Sequence, residues 1–341
     1  MQFDIIHTLD AWNALQHDWN RLLSLGASDV PFLRHEYLTA WWQTLGGGEW
    51  NQGELNIVTA RDGSGELCGI APLFFSENRD GEPALMLLGS IEISDYLDLI
   101  ALPGMLPAFV SELFDFLLGS QLPAWRVLDL YNLLDQSPTL PALEAAASRC
   151  GWEYEQTCLQ HCPYIPLPGD WEKYLAGIDK KQRHEIRRKM RRAQESNQDV
   201  RWYVVQDESA LDSEMEDFFT LMAQDAEKAA FLTQPMRTQM RLAAHAALRS
   251  GWLQLAFLEA DGRKAAGYLN FDYANHLWIY NSGLSFDFAE LSPGWVLLGH
   301  LLQWANEQQR AAFDFMRGNE DYKYRFGAVD RFVMRARIAR R

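Results

Sequence analysis

Cysteine is scarce in this chain: four among 341 residues are too few for a disulfide framework. Glycine (23) and proline (13) stay near ordinary usage, which excludes collagen-like and mucin-like chains. Long hydrophobic runs are also lacking. A run such as Ala84 to Leu88 falls far short of the ~18 apolar residues that cross a bilayer. The opening ten residues hold no basic stretch followed by an apolar one, so no secretory leader is expected and the cytoplasm fits best. Basic residues are in deficit. Lys and Arg number 31 against 46 Asp and Glu, a net charge of −15, which excludes general attraction to nucleic acid but not a local one.

What is present is apolar and aromatic. At 48% hydrophobic and 13% aromatic the chain can bury a substantial core, which rules out wholesale disorder. Its length predicts two domains. Charge, moreover, is unevenly placed. From Asp179 to Arg192 there are eight Lys and Arg and two acids, a net +6 that leaves −21 on the rest. The last eleven residues add Arg331, Arg335, Arg337, Arg340 and Arg341 with no acid.

Spacing organises the chain coarsely. Trp12, Leu15, Trp19, Leu22 and Leu23 recur at helical intervals, with Asp10 placed to cap them. A helix over 36–44 is ended by Gly46-Gly47-Gly48. Strands over 55–61 and 67–76 flank Asp62-Gly63-Ser64-Gly65, a hairpin signal. Further strands are predicted over 84–88, 97–101 and 125–131, and helices over 107–118 and 141–150. The proline-rich stretch 162–169 reads as a hinge. Beyond it come one basic helix (170–196), a strand (200–205), helices (209–229 and 234–250), strands (253–259, 265–273 and 276–283), a helix from Ser292 to about 308, and a last buried strand (312–316). A duplicated α/β domain is consistent with this order.

Four places carry candidate chemistry. After the strand ending near Gly283, Ser292 suits an N-cap and Pro293 a first helical turn. Gly294 and Trp295 would then offer free amides to a phosphate at the positive end of the helix, although a plain strand-to-helix connection reads the same way. Asp314 lies between Phe313 and Phe315 on an apolar strand, where a carboxylate needs a partner. Arg317, Glu320, Tyr322 and Lys323 crowd just past that strand's end, where open α/β sheets place their sites. The basic helix, with Arg187 and Arg188, is either a solvated face or a clamp for a phosphate-bearing ligand or RNA. Asp95, Tyr96 and Asp98 would line a cleft or begin a strand. Cys158, His161 and Cys162 have no second ligand pair at zinc spacing, so no metal is expected. His300, one turn into the Ser292 helix, is either a base or a packed histidine.

Taken in order, the run Lys181-x-Arg183-x-Glu185-Ile186-Arg187-Arg188-Lys189-x-Arg191-Arg192, then Ser292-Pro293-Gly294, then Phe313-Asp314-Phe315-x-x-Gly318-x-Glu320-x-Tyr322-Lys323-x-x-x-Gly327 resembles a known family. It is similar to the CelD-like (cellulose-biosynthesis type) acetyltransferases of the GNAT superfamily, cousins of the Fem peptidoglycan aminoacyltransferases. The likeness covers about residues 165 to 330. It is fainter before that, through Asp95-Tyr96-Leu97-Asp98 and Leu102-Pro103-Gly104.

The resemblance implies an α/β (α+β) fold of two GNAT-like mixed-sheet domains in tandem, residues 1–165 and 166–341, the second better preserved. It implies acyl transfer from acetyl-CoA or another acyl-CoA to an amine or hydroxyl, with small-molecule or glycan precursors of polysaccharide or cell-envelope synthesis among the acceptors. The donor's pyrophosphate would sit on Ser292 to Trp295, supported by Arg187 and Arg188. In place of the superfamily's Q/R-x-x-G-x-G/A stands Leu291-Ser-Pro-Gly-Trp-Val. Fem relatives use aminoacyl-tRNA, which makes tRNA the alternative donor. A non-catalytic GNAT-like binding module is a third reading. In the expected mechanism an edge amide near Asn281 to Gly283 holds the oxyanion and Asp314 or Glu320 acts as base. Tyr322 returns a proton, Lys323 and Arg317 hold a phosphate or carboxylate, and Tyr280, Asp95, Tyr96 and Asp98 contact substrate.

Overall fold

The computed structural model describes residues 1–119 and 122–340, which leaves Arg341 of the terminal basic island outside the described residues. Contacts divide the chain into Met1–Gln160 with Phe332–Arg341, and His161–Arg331. The expected assignment of everything after 165 to the second domain is thereby corrected for the C-terminal residues, which return to the first unit.

In the first unit the elements run β1 (Gln2–Ile6), α1 (Leu9–Asn13), α2 (Gln16–Leu25), α3 (His35–Gly48), β2 (Glu54–Leu55), β3 (Ile57–Arg61), β4 (Leu67–Ala71) and β5 (Leu73–Glu77). They continue with β6 (Pro83–Leu87), β7 (Ile100–Ala101), α4 (Leu106–Gly119), β8 (Val127–Leu134), α5 (Thr139–Cys150) and β9 (Glu153–His161). The hairpin between β3 and β4 forms as the turn residues predict. Asp62 Oδ1 accepts the amides of Ser64 (2.8 Å) and Glu66 (3.1 Å), and Gly65 supplies φ +87°.

The second unit contains β10 (Tyr164–Pro166), α6 (Trp171–Gly177), α7 (Lys180–Gln194), β11 (Val200–Val204), α8 (Leu211–Met222), α9 (Ala226–Phe231) and α10 (Gln234–Arg249). There follow β12 (Leu253–Ala260), β13 (Arg263–Tyr273), β14 (His276–Leu284), α11 (Pro293–Glu307), β15 (Ala312–Asp314) and α12 (Asp321–Arg325). The single basic helix expected over 170–196 is two helices. Asp170 caps α6, and Asp179 caps α7 by accepting the amides of Lys181 and Gln182. Asp225 likewise starts a new helix, α9, inside the segment expected to be continuous to 229.

The second unit's sheet has the order β10-β15-β14-β13-β12-β11. Every pair is antiparallel except β14 and β15, which run parallel with α11 as their crossover. On one face α6, α7 and α11 bury Leu175, Ile186, Leu297, Leu301 and Ala305 against Leu258, Ala266, Leu277 and Ile279. On the other, α8 comes so close to β14 that a Cβ on Gly283 would lie 2.5 Å from the Met222 amide nitrogen, so only glycine fits.

The first unit repeats this plan. Its larger sheet has the order β2-β5-β6-β8-β16-β9, and β1-β3-β4-β7 forms a smaller one. Here β16 is Phe332–Ala339, and the parallel pair is β6 and β8 with α4 as crossover. The terminal island read only as charge is therefore a strand inserted between β8 and β9. Its arginines sit on carboxylates: Arg335 on Asp129 and Asp80, and Arg337 on Glu82. Both units are mixed α/β, the architecture expected. No helix among the described residues is long and apolar enough to cross a membrane.

Candidate active site

The parallel pairing of β14 and β15 lasts three residues, ending at Trp278 beside Asp314. Past that point the strands part. Phe315 donates its amide to Pro163 and Gly318 donates to His161, so the chain leaving β15 turns away from β14. The remainder of β14 stays paired to β13, with one change of register: Leu269 faces Asn281, whereas Asn270 faces Ile279. Tyr280 is the extra residue of this bulge, and its ring stacks on Phe271 (5.3 Å between centroids). Past Trp278 the β14 strand has an edge that β15 does not pair with, bulged at Tyr280, and backbone amides lie along it. Such an amide can hold a developing oxyanion.

On the opposite lip stand residues of α12 and its entry. The Tyr322 ring packs edge-on against Phe315 (5.9 Å). Burial pushes the Tyr322 phenol well above its ordinary range, with Tyr268 and Glu320 adding to the effect. Glu320 keeps its carboxylate largely in solvent and pairs with Lys323 at 2.9 Å. Among the expected site residues, Tyr280, Glu320 and Tyr322 therefore border the parted strands.

Asp314, the other residue expected as base, is placed differently. It is fully buried, its Oδ2 bonded to the Arg331 guanidinium and its Oδ1 accepting the Met316 amide at 2.8 Å. With no exposed surface, the carboxylate presents no oxygen to a substrate in this arrangement. Lys323 is likewise corrected from an anion holder to a staple. It is 2% exposed and its ammonium donates to the carbonyls of Arg317 (2.8 Å) and Gly318 (3.0 Å) besides Glu320. It thereby fixes the loop whose half-buried Arg317 was expected to bind an anion.

The start of α11 also differs from expectation. Ser292 adopts φ +53° with no side-chain cap, and its carbonyl accepts the amides of both Trp295 (3.0 Å) and Val296 (3.1 Å). Pro293 is buried and has no amide to give. That leaves Gly294, and the Leu284 side chain lies over it, 2.8 Å from where a Cβ would stand. The Trp295 ring, meanwhile, is taken up by Lys189 (4.0 Å above it) and Phe326 (4.7 Å). A coenzyme pyrophosphate needs several converging amides, and this turn does not supply them.

Arg187 and Arg188 are engaged as well, with Glu172 and Glu185. Among the described residues Lys180, Lys181, Arg191 and Arg192 make no ion pair, so the available charge of α7 lies at positions other than those expected. Arg191 and Arg192 border a groove of about 560 Å³ between α7 and the loop carrying Phe288 and Glu290. His300 proves to be a packed histidine. It stacks on Trp202 (5.7 Å) beside a cavity of about 340 Å³, and burial lowers its pKa.

Asp95, Tyr96 and Asp98, expected to contact substrate, are 8%, 1% and 2% exposed inside the first unit. Asp98 accepts the hydroxyls of Ser28 and Ser137, and burial raises its pKa against those bonds.

One residue at the cleft escaped the sequence reading. Lys228, on α9, donates its ammonium to the Ser282 carbonyl on β14 (2.6 Å). Burial lowers its pKa, with Asp225 and Glu320 opposing. A lone lysine in a short polar helix gives no signal of this in sequence.

Residues 180–324 match the family described as the acetyltransferase (GNAT) domain. No curated protein matches the chain. Among solved structures the chain is similar to FemX, with 11% identity, a TM-score of 0.67, and coverage of 98% of this chain and 97% of that one. It is also similar to a conserved protein of unknown function from Bacteroides thetaiotaomicron VPI-5482, at 11% identity, TM-score 0.60 and full coverage of both chains. A third likeness is L-PGS from Bacillus licheniformis, at 13% identity, TM-score 0.53 and 82% of each chain. At such identities these likenesses concern the fold.

Proposed function

We propose that the second unit is an acyltransferase, moving an acyl group from an activated ester or thioester to an amine or hydroxyl in the cleft between β14 and residues 315–322. The parting of β14 from β15, with the bulge at Tyr280 on its lip, is the observation that carries this reading. The acceptor attacks the donor carbonyl and the tetrahedral oxyanion is held by an edge amide of β14 near Asn281. One such donor contributes roughly 3 kcal/mol. Glu320, solvated and close by, takes the proton the acceptor loses. Tyr322, whose phenol stays protonated at neutral pH, gives a proton to the departing oxygen or sulfur. No covalent enzyme intermediate is needed.

Acyl-CoA is the donor that the GNAT domain suggests, with polysaccharide or cell-envelope precursors as acceptors. A second donor, aminoacyl-tRNA, is favoured by two observations. The start of α11 offers a single amide beneath Leu284, and among the described residues Lys180, Lys181, Arg191 and Arg192 of α7 make no ion pair. Titration calorimetry with acetyl-CoA, longer acyl-CoAs and tRNA distinguishes the donors. Binding of none of them, together with no transfer to amines or hydroxyls, would overturn the transferase reading.

A further inference from the structure

The first unit has its own counterpart of the β14/β15 parting, and the chain itself fills it. Parallel pairing of β6 and β8 lasts three residues and ends at Met86 beside Asp129, as long as in the second unit. There, β14 runs on for six residues past the last pair, leaving its edge beside the cleft. In the first unit β6 stops at Leu87, and Gly89 turns the chain at φ +100°. A Cβ on Gly89 would lie 2.6 Å from Leu97 Cδ2 and 2.9 Å from Ser94 Oγ, so the turn closes directly onto the segment it starts.

That segment is bonded along the free length of β8. Asn132 Nδ2 donates to the carbonyls of Ile91 (2.7 Å) and Ser94 (2.8 Å), and the Leu97 amide donates to the Asn132 carbonyl (2.9 Å). From the other side Trp50 Nε1 donates to the Ser90 carbonyl (2.6 Å) and the Tyr37 hydroxyl to that of Ile93 (2.7 Å). The Glu49 carboxylate accepts the amides of Ile91 and Glu92. Ile93, Ser94, Tyr96 and Leu97 are each 2% exposed or less. Backbone groups that an extended substrate would pair with are thus taken by the protein's own residues.

We infer that residues 88–98 are a built-in plug, and that the chain has one acyl-transfer cleft, in the second unit, the first being sealed by its own backbone. Ser94-Asp95-Tyr96-Leu97-Asp98, conspicuous in the sequence, is the body of this plug. Asp98 ties its end to Ser28 and Ser137. The inference of a single working cleft rests on the transferase reading; the seal does not.

Hydrogen exchange on the full chain tests it. The amides of Ile91, Glu92 and Leu97 should exchange within tenfold of the rates of Leu130 and Leu133 in β8, because only unfolding of the unit frees them. Exchange more than tenfold faster would mean the segment opens as a lid, and the inference falls. Thiol labelling gives a second reading. Cysteine placed by Ser94→Cys should stay unmodified by a maleimide in the native protein, whereas Ser282→Cys should react. Labelling of the first at the rate of the second would overturn the seal. Should Ser94→Cys fail to fold, the exchange rates of the unaltered chain still decide. Neither measurement depends on turnover. A chain inert toward every donor but protected at 91–97 would lose the transferase reading and keep the plug.

Discussion

Asp129 and Asp314 occupy the same place in two sheets: each is the third and last residue of a parallel pair, each has no exposed surface, and each lies under an arginine. Arg335 grips Asp129 through Nε (2.7 Å) and a terminal nitrogen (2.8 Å), and Arg331 bonds Asp314. A carboxylate at the point where strands part is costly to desolvate, and a guanidinium offsets that cost through charge-assisted bonds. The recurrence in both units marks the pair as part of the fold rather than of the chemistry.

Asp314→Asn should therefore act on stability. It takes the carboxylate charge away from the partly buried Arg331, a loss of about 3 kcal/mol by analogy with other broken buried pairs. Denaturant unfolding should show the second unit weakened. Full stability with abolished turnover would return Asp314 to catalysis.

Glu320→Gln and Tyr322→Phe should act on turnover. Each removes a proton carrier while nearly keeping the side chain's shape, so kcat should fall by ~10²–10⁴-fold; Tyr322→Phe should leave Tm nearly unchanged, whereas Glu320→Gln, which takes the carboxylate from buried Lys323, should lower it. Steady-state rates and thermal melts of the two variants read this directly, and full turnover in either would remove that residue from the chemistry.

If RNA carries the donor group, Arg191→Gln with Arg192→Gln should weaken donor binding and make its dependence on salt shallower by roughly 1–2 in log–log slope. Nitrocellulose filter binding between low and high salt reads this. An unchanged slope would point back to a coenzyme donor.

His300 sets a pH limit. Burial lowers its folded-state pKa, so the unfolded chain binds its proton more readily than the folded one does. Its contribution is complete above the unfolded value of about 6.5 and is lost as pH falls through the folded one. His300→Gln should flatten the acid-side decline in Tm over that window. A proton NMR titration of the imidazole with its midpoint at or above 6.5 would contradict the assignment.

Much of the scaffold was legible because local rules and tertiary packing agree in it. The Asp62-Gly63-Ser64-Gly65 turn and the apolar stripe of α11 each carry their own instruction. β9 and β16 were missed for opposite reasons. β9 is exposed along much of its length, so it lacks a buried face to betray it. The arginines of β16 resemble a solvated tail until Asp80, Asp129 and Glu82 are brought beside them. Past β15, residue type singled out Glu320, Tyr322 and Lys323 together, yet it could not tell a free charge from an engaged one. Lys323 and Asp314 looked reactive because their partners, backbone carbonyls and a distant arginine, leave no mark in a sequence pattern.

The return of β16 to the first sheet imposes an order of assembly. During synthesis, the N-terminal 160 residues emerge with a gap between β8 and β9 that stays open until the ribosome has made everything up to Ala339. The intervening module can settle as soon as Arg331 is out, since all its strands are already present. A nascent chain stalled near that point would thus hold its later-made half finished and its earlier-made half waiting, and a chain clipped before Phe332 would strand the older module with two unpaired strand edges inviting aggregation.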